Sequence, residues 1–301
     1  MGERVGGPML SQTNRIEELR QEARARLRQG DYEQALEVYD EALALAEDDE
    51  TRELVSINKA DAMIALERTG PEVHALPRVI MRRTNPRHVY LAAYALQYKH
   101  RLENDFKRAL FYGQLALRTA DEASEPSWRR IVLLELGNIY ELDSQIPRAI
   151  ECFEEALTIG GESIDNKDLD LSRGYALENL GYCMMLQGKI DEGMELIRMA
   201  LDLLSDPTGM AEAYIDLCFG NLEKEELEQA RFFGEAGLKV AKDPRQIRNA
   251  HYLLGEVAYK SGDTERAEFH FEELARFYPQ FRNLKSLLFA IDLRGMVNLK
   301  L

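Results

Sequence analysis

The chain has 301 residues, of which 45% are hydrophobic and 30% charged, a balance typical of folded proteins rather than disordered or membrane-spanning ones. Its 38 basic and 53 acidic residues give a formal net charge of -15, which disfavours nucleic acid and anionic membranes as partners. The 3 cysteines form no CxxC pair, and no apolar run approaches the roughly 18 residues of a membrane span. These features predict a cytoplasmic protein with no nucleic-acid or membrane partner.

The chain opens with a segment, residues 1–14, that we predict to be a flexible tail. The first predicted helix follows it and carries Arg20, Arg24 and Arg28 at spacings of four residues, which places them on one helix face. Three guanidinium groups on one face are suited to contacting an anionic group such as a carboxylate. The alternative is that they are solvated at the N-terminal end of the fold.

An internal repeat dominates the rest of the sequence. The segment RQGDYEQALEVYDEAL at residues 28–43 returns in altered form five more times, at spacings of 37 to 44 residues with the first interval doubled. A small residue marks each copy: Ala35, Ala109, Ala149, Gly193, Ala230 and Ala267. A second set lies twelve residues upstream of each: Ala23, Gln97, Gly137, Gly181, Cys218 and Gly255, with Ala60 filling the gap. Seven repeats therefore span residues 16–278.

Each repeat is predicted to form two amphipathic helices joined by a short turn. Glycine (20) and proline (9) are scarce, as expected of an almost entirely helical protein. The paired small residues have a packing reason, because only small side chains allow two helix backbones to cross closely. The sequence thus predicts a solenoid of helix hairpins.

The repeat also carries a recognisable residue pattern. Leu136-Gly137-Asn138 with Tyr140 stands in a first helix, and GDY at residues 30–32 precedes Ala35 and Tyr39 in a second. This pattern resembles the tetratricopeptide repeat. The resemblance implies an all-α, right-handed superhelical solenoid of about seven hairpins, whose first helices line a concave groove that binds peptides or protein segments. It implies no chemistry and no cofactor.

Within the predicted array, residues 15–278, the second repeat is irregular at residues 70–89. Its second helix contains Pro71 and Pro77, and Glu72 stands where the other repeats have a small residue. Proline in a helix interior removes a hydrogen bond and clashes with the preceding turn. We expect a short or broken helix there. A loop after Ile159 lengthens the fourth repeat, and it is expected to be solvated because it lacks the glycine and distal glutamate of a calcium loop.

The final segment, residues 279–301, is predicted to form a capping helix and a tail. A capping helix covers the apolar face at the end of a repeat array. The segment has more apolar residues than one helix face needs. Two outcomes are compatible with this excess: a homodimer through the C-terminal segment, or a tail folded back over the capping helix.

The predicted groove is lined by aromatic, acidic and amide side chains. The candidate residues are Tyr94, Tyr98, Asn138, Tyr175, Glu178, Tyr182, Phe219, Tyr252, Glu256 and Tyr259. Tyrosine combines a large apolar ring with a polar tip, which suits it to anchor an interface. The alternative is that these rings fill gaps between adjacent helices.

Charge is segregated along the sequence. Residues 78–108 contain eight basic and two acidic residues, whereas residues 141–230 contain six basic and 21 acidic residues. A partner with complementary charge, basic or aromatic for the acidic stretch, is one interpretation. The other is a solvated, salt-screened surface.

The sequence contains no motif that indicates catalysis. The five histidines show no HExxH spacing, and neither GxxxxGKS nor GxSxG occurs, so we predict no metal site, no cofactor and no enzymatic activity. The predicted function is a protein–protein interaction scaffold that binds a partner segment in its groove. Two alternatives stay open: a peptide-sensing receptor that changes its superhelical pitch, and an enzyme whose site the sequence does not reveal.

Overall fold

The computed structural model describes residues 7–160, 166–277 and 279, and within them the chain forms fourteen α-helices and no strand. The helices are α1 (Gly7–Gln29), α2 (Tyr32–Leu45), α3 (Asp49–Ala65), α4 (Pro71–Arg82), α5 (Pro86–Leu102), α6 (Phe106–Glu122), α7 (Pro126–Leu142), α8 (Ile146–Thr158), α9 (Asn166–Leu186), α10 (Ile190–Leu201), α11 (Pro207–Glu223), α12 (Leu227–Val240), α13 (Pro244–Lys260) and α14 (Thr264–Phe277).

The chain divides into two compact units, residues 1–132 (unit 1) and residues 133–301 (unit 2), with the boundary inside α7. Unit 1 contains the hairpins α1/α2, α3/α4 and α5/α6, and unit 2 contains α9/α10, α11/α12 and α13/α14. In unit 2 the end of α7 also packs on α8, through Gly137 and Phe153. Odd-numbered helices are the first helices of the repeats and even-numbered ones the second helices. The prediction of an all-α solenoid of seven helix hairpins is confirmed.

Small residues lie where the two helices of a hairpin cross. A Cβ atom on Gly181 in α9 would lie 2.6 Å from the carbonyl oxygen of Gly193 in α10, and one on Gly193 would lie 2.4 Å from the carbonyl oxygen of Gly181. The two backbones are thus in direct contact. In α1/α2 the corresponding residues are Ala23 and Ala35, both fully buried. The packing reason given for the paired small residues is confirmed.

Each unit has its own apolar core. In unit 1, one cluster surrounds Leu19 and Tyr39 and a second surrounds Leu76. In unit 2, a large cluster that includes Ile197 and Phe271 joins α9 through α14. Two of the three cysteines, at positions 183 and 218, are buried and the third is partly buried; all three are free thiols.

Helix α4 is short but continuous. Pro71 occupies its first turn, where a missing N–H costs nothing, and Pro77 lies inside the helix without ending it. Glu72 is half-buried and its carboxylate lies 2.9 Å from Nζ of Lys59, which also contacts Asp40 at 2.7 Å. An ion pair therefore occupies the place that a small residue has in the other repeats.

The predicted ends of the array are only partly covered by the described residues. Helix α1 begins at Gly7, inside the predicted tail, and the flexibility of residues 1–14 stays a prediction. Helix α9 begins at Asn166, so the second half of the segment predicted as a solvated loop is helical. Apart from position 279, the predicted C-terminal capping helix and the homodimer through it lie outside the described residues.

Candidate functional site

The first helices of unit 2 form one layer, because α11 packs against both α9 and α13. Three predicted groove residues join these helices. The rings of Tyr182 and Phe219 lie 6.1 Å apart between α9 and α11, and Tyr252 belongs to the same core cluster. Tyr182 is 1% exposed. These three rings pack between neighbouring helices in the structure, as the packing alternative describes.

The other predicted groove residues of unit 2 differ in exposure. Glu178 and Glu256 are buried, and Glu256 lies 3.9 Å from Nζ of Lys260. Asn138 is half-buried. Tyr259 is 51% exposed and is the most accessible aromatic residue among those predicted.

The structure adds a buried polar cluster that the sequence analysis did not find. It extends from the N-cap of α11 to the third turn of that helix and includes the first turn of α13, next to Tyr175. Its members are Asp206, Glu212, Asp216, Arg245 and Gln246. Four of them carry no signal in the sequence that sets them apart from other polar residues. Asp206 has one, because an aspartate directly before Pro207 is typical of a helix N-cap.

Asp206 and Tyr175 form one half of this cluster. Oδ1 of Asp206 accepts hydrogen bonds from the backbone N–H of Gly209 and from the hydroxyl of Tyr175, both at 2.9 Å. Burial raises the pKa of Tyr175 well above its usual range, and the carboxylates of Asp206, Glu178 and Glu212 raise it further. The Tyr175 hydroxyl therefore stays protonated and donates to Asp206.

Gln246 and Arg245 form the other half. The Gln246 side chain is fully buried, and its Nε2 donates to the carbonyl of Thr208 at 3.0 Å and to Oε1 of Glu212 at 3.1 Å. Arg245 pairs with the same carboxylate oxygen. The cluster thus ties the first helices α9, α11 and α13 together with polar contacts.

In unit 1 the predicted tyrosines lie on α5. Tyr94 stacks on Tyr90, with ring centroids 6.2 Å apart, and Tyr90 in turn stacks on Trp128 at 4.6 Å. The guanidinium of Arg101 lies 5.0 Å from the ring centre of Tyr98. Tyr94 and Tyr98 are partly buried, so both rings combine packing with an accessible face.

The predicted arginine cluster separates into different environments. Arg20 is 3% exposed; its Nε donates to Oδ1 of Asn58 at 3.1 Å, and its Nη1 contacts Glu17. Its Nη2 is buried and donates no hydrogen bond to any described residue. Burial lowers the pKa of Arg20, and the like charges of Arg24 and Arg87 lower it further. Arg20 is therefore not solvated; Arg24 is partly buried.

The side chain of Arg28 is not among those that the structure describes.

Among the described residues no three histidine, cysteine or acidic side chains are grouped so that they could hold a metal ion. Among the same residues no helix is both long and apolar enough to cross a membrane.

A histidine pair joins α13 and α14. Nδ1 of His251 lies 2.9 Å from Nδ1 of His270, so one ring donates and the other accepts. Burial lowers the pKa of both rings, and the neighbouring imidazole helps to lower that of His270 to about 4. Both rings are therefore neutral at pH 7, and the pair links the two helices of the last hairpin.

Comparisons with known proteins support this architecture. Residues 16–49 and 249–280 each match a sequence model described as the tetratricopeptide repeat. No curated protein matches the sequence.

Several solved structures are similar in fold. The apo form of RapI has a TM-score of 0.66 and 13% identity, over 94% of this chain and 84% of its own. A Rap protein in complex with competence and sporulation factor also has a TM-score of 0.66, with 14% identity over 95% and 79% of the two chains. BtubC from P. vanneervenii has a TM-score of 0.55 and 19% identity, over 75% and 92%. At these identities the similarity concerns the fold.

Proposed function

Because this chain is a tetratricopeptide-repeat protein, we propose that it is a non-catalytic scaffold that binds a segment of a partner protein. The first helices of unit 2 are proposed as the binding surface. The observation that carries the proposal is their shared layer, which holds buried carboxylates at positions 178, 216 and 256 as well as the aromatic rings of the core cluster. Such a surface combines apolar anchoring with an attraction for basic groups.

The accessible predicted residues on the first helices of unit 2, α7 included, are the proposed contacts. Tyr259 and Asn138 have exposed atoms, whereas Tyr182 and Phe219 are core residues whose truncation would leave cavities and cost about 3 to 5 kcal/mol of folding free energy. A binding test therefore changes Tyr259 and Asn138 and leaves the two core residues, Tyr182 and Phe219, intact. Exposed side chains can be truncated with little effect on folding.

The test is a selection of binding peptides from a random phage-displayed library, followed by affinity measurements on synthetic peptides. We expect the selected peptides to be basic, and Tyr259→Ala or Asn138→Ala to weaken them at least tenfold. Phe232→Ala is the matched control, because Phe232 is 62% exposed on a second helix, and it should change affinity less than about twofold. The proposed surface would be contradicted if the selected peptides bound Phe232→Ala more weakly than the wild type but bound Tyr259→Ala and Asn138→Ala with unchanged affinity.

The receptor alternative differs in one measurable respect. A Rap protein of similar fold has been crystallised with competence and sporulation factor. If this chain were a sensor of the same kind, a selected peptide would change its radius of gyration in solution scattering. A scaffold binds the same peptide without that change.

A second contact is proposed in unit 1, for an anionic group of the partner. Arg24 supports it, because this arginine is only partly buried and lies close enough to Arg20 to lower the pKa of that guanidinium, as does Arg87. Inorganic phosphate is the probe: it should raise the melting temperature of the wild type, and the increase should disappear in Arg24→Met. The exposed Arg78 is the control, and equal phosphate effects in Arg24→Met and Arg78→Met would contradict the contact.

A further inference from the structure

A cavity of about 210 Å³ lies in unit 1, between the turn that follows α3 and the end of α5. Ile64 in the last turn of α3 and Leu102 at the end of α5 form its apolar part. Its polar part consists of two acidic residues, at positions 67 and 103, two basic residues, at positions 68 and 99, and Thr69. None of these residues belongs to the groove predicted from the sequence, so the cavity is a separate feature of the molecule.

The cavity is accessible to a small molecule. Glu67, Arg68 and Thr69 are exposed and Leu102 is 39% exposed, whereas Ile64 is buried. The apolar part therefore reaches from the surface into the protein. Pockets for drug-sized ligands measure about 300 to 1,000 Å³, so this cavity suits a smaller molecule with a short apolar body.

The two basic side chains of the cavity are already paired with carboxylates. Nζ of Lys99 lies 2.6 Å from Oε1 of Glu103. Nη1 of Arg68 donates to Glu33 at 2.8 Å, and its Nη2 contacts the same carboxylate. His100 also bonds to Glu103, but burial lowers the pKa of its ring, which is therefore neutral at pH 7. These two ion pairs leave no net charge.

Glu67 and the helix ends make the cavity negative. Glu67 is a third carboxylate beside two cations, which gives a net charge of one negative unit. Helix α3 ends at Ala65 and α5 at Leu102, and a helix C-terminus carries a partial negative charge. None of the lining residues belongs to α4 or α6, whose N-terminal ends have the opposite sign. The cavity therefore favours a cation.

We propose that this cavity binds a small alkylammonium group, with the carboxylate of Glu67 as its charged partner and with Ile64 and Leu102 in contact with its apolar body. An ammonium is a compact charge with three donors, which suits a small cavity with one unmatched carboxylate. A free amine and the N-terminal residue of a peptide both present this chemistry. The site goes beyond the proposed function, because it lies outside the first helices of unit 2.

The experiment titrates the ¹⁵N-labelled full chain with four probes at pH 7 and physiological salt, and follows the backbone amide signals by NMR. Isoamylamine represents a free amine and leucinamide a peptide N-terminus. Isoamyl alcohol and N-acetyl-leucinamide keep the same apolar groups but lack the positive charge. Amide signals of residues 64–69 and 99–103 report on the cavity.

We expect isoamylamine, leucinamide or both to shift these signals with a dissociation constant on the order of 1 mM, as suits a ligand of few atoms. The two uncharged probes should bind at least tenfold more weakly. The probe that binds more tightly identifies the source of the ammonium group. Equal affinity for isoamylamine and isoamyl alcohol, or shifts confined to other residues, would overturn the proposal.

The key variant is Glu67→Gln, which keeps the shape of the side chain and removes its charge. We expect the affinity for the tighter-binding ammonium probe to fall at least tenfold. Glu225→Gln is the matched control, because Glu225 is also exposed and lies in the turn between α11 and α12 with a φ of 59°, against 54° for Glu67. It should change the affinity less than about twofold.

Two further points decide between the outcomes. If Glu67→Gln does not fold by circular dichroism, Glu67→Gly replaces it, because glycine adopts a positive φ without strain. Equal losses from the changes at positions 67 and 225 would show attraction by net charge alone and overturn the site. The peptide test with Tyr259 and Asn138 concerns other helices, so the proposed function stands or falls separately.

Discussion

The two units of the chain bury groups of opposite charge on first helices of the same design. In unit 1, Arg20 is buried with Asn58 beside it and other arginines nearby. In unit 2, the carboxylates at positions 178, 212, 216 and 256 are buried, and Arg245 pairs with one of them. Small residues hold the hairpins together in both units, at Ala23 and Ala35 and at Gly181 and Gly193.

This contrast shows which positions the repeat fixes and which it leaves open. Helix crossing restricts the small residues, because a larger side chain would collide with the backbone of the neighbouring helix. The polar positions of the first helices have no such restriction. One fold can therefore bury an arginine in one unit and carboxylates in the other, and four predictions test how far the two units differ.

The largest effect is expected from Gly193→Ala in unit 2. A Cβ there would lie 2.4 Å from the carbonyl oxygen of Gly181, so the backbones of α9 and α10 must separate. We expect the free energy of unfolding to fall by about 3 kcal/mol, measured by urea denaturation with circular dichroism. Gly160→Ala, where a Cβ meets nothing within 4 Å, is the control. An unchanged urea midpoint would show that the crossing of α9 and α10 tolerates alanine, the residue at the corresponding position 35 of unit 1.

The next effect concerns Gln97, which occupies a small-residue position in unit 1. It is 1% exposed, and neither atom of its amide has a hydrogen-bond partner among the described residues. Gln97→Met keeps the side-chain volume and removes the two unsatisfied polar groups. The free energy of unfolding should therefore rise by about 2 kcal/mol. The fluorescence of Trp128, the single tryptophan, reports on this unit. A loss of stability would mean that the amide is satisfied in solution.

A pH effect is expected from the histidine pair of unit 2. Because the pKa of His270 is about 4 in the folded chain and about 6.5 when unfolded, the pair contributes stability above pH 6.5 that is lost as the pH falls towards 4. In His270→Asn, the loss of unfolding free energy between pH 7 and 4.5 should be smaller by on the order of 1 kcal/mol. This value is discounted for the partial solvent screening of the ring. Melting temperatures between pH 7 and 4.5 measure it.

His251 faces Glu273 and Arg276, and His270 faces Arg266. Glu273→Gln is therefore measured as well, to separate the influence of this carboxylate on His251 from that of the second ring. Identical pH profiles for the wild type and His270→Asn would contradict the prediction.

The smallest effect is expected from Glu72→Ala in unit 1, which restores the small residue of the other repeats. Lys59 loses one partner but keeps Asp40 at 2.7 Å, and a partly exposed ion pair contributes less than about 1 kcal/mol. Thermal unfolding should hardly change. A loss above about 2 kcal/mol would show that the ion pair holds α3 and α4 together.

The fold was predictable from the sequence because its determinants are local and periodic. The recurring small residues predict seven hairpins, and the fourteen helices of the described residues form seven. The continuity of α4 was harder to predict, because proline is unfavourable in a helix interior. The helix nevertheless continues through Pro77. Apolar packing of Val73, Leu76 and Val79 in the core of unit 1 compensates for the lost hydrogen bond.

The candidate site was predictable only in part. The aromatic residues of the first helices could be identified by their spacing, but spacing does not distinguish Tyr182, which is buried in the core, from Tyr259, which is half-exposed. Exposure depends on the neighbouring helix, more than 30 residues away in sequence. The cluster of Asp206 and Gln246 was missed for the same reason.

The sequence by itself determined the helices, the turns between them and the excess of negative charge in the second half, because these follow from neighbouring residues and composition. Only the tertiary structure decided which polar atoms are buried and which of them find partners. Arg20 meets Asn58 and Gln246 meets Thr208, each pair 38 residues apart. Such contacts depend on how adjacent repeats stack, and packing of this kind is a property of the folded chain.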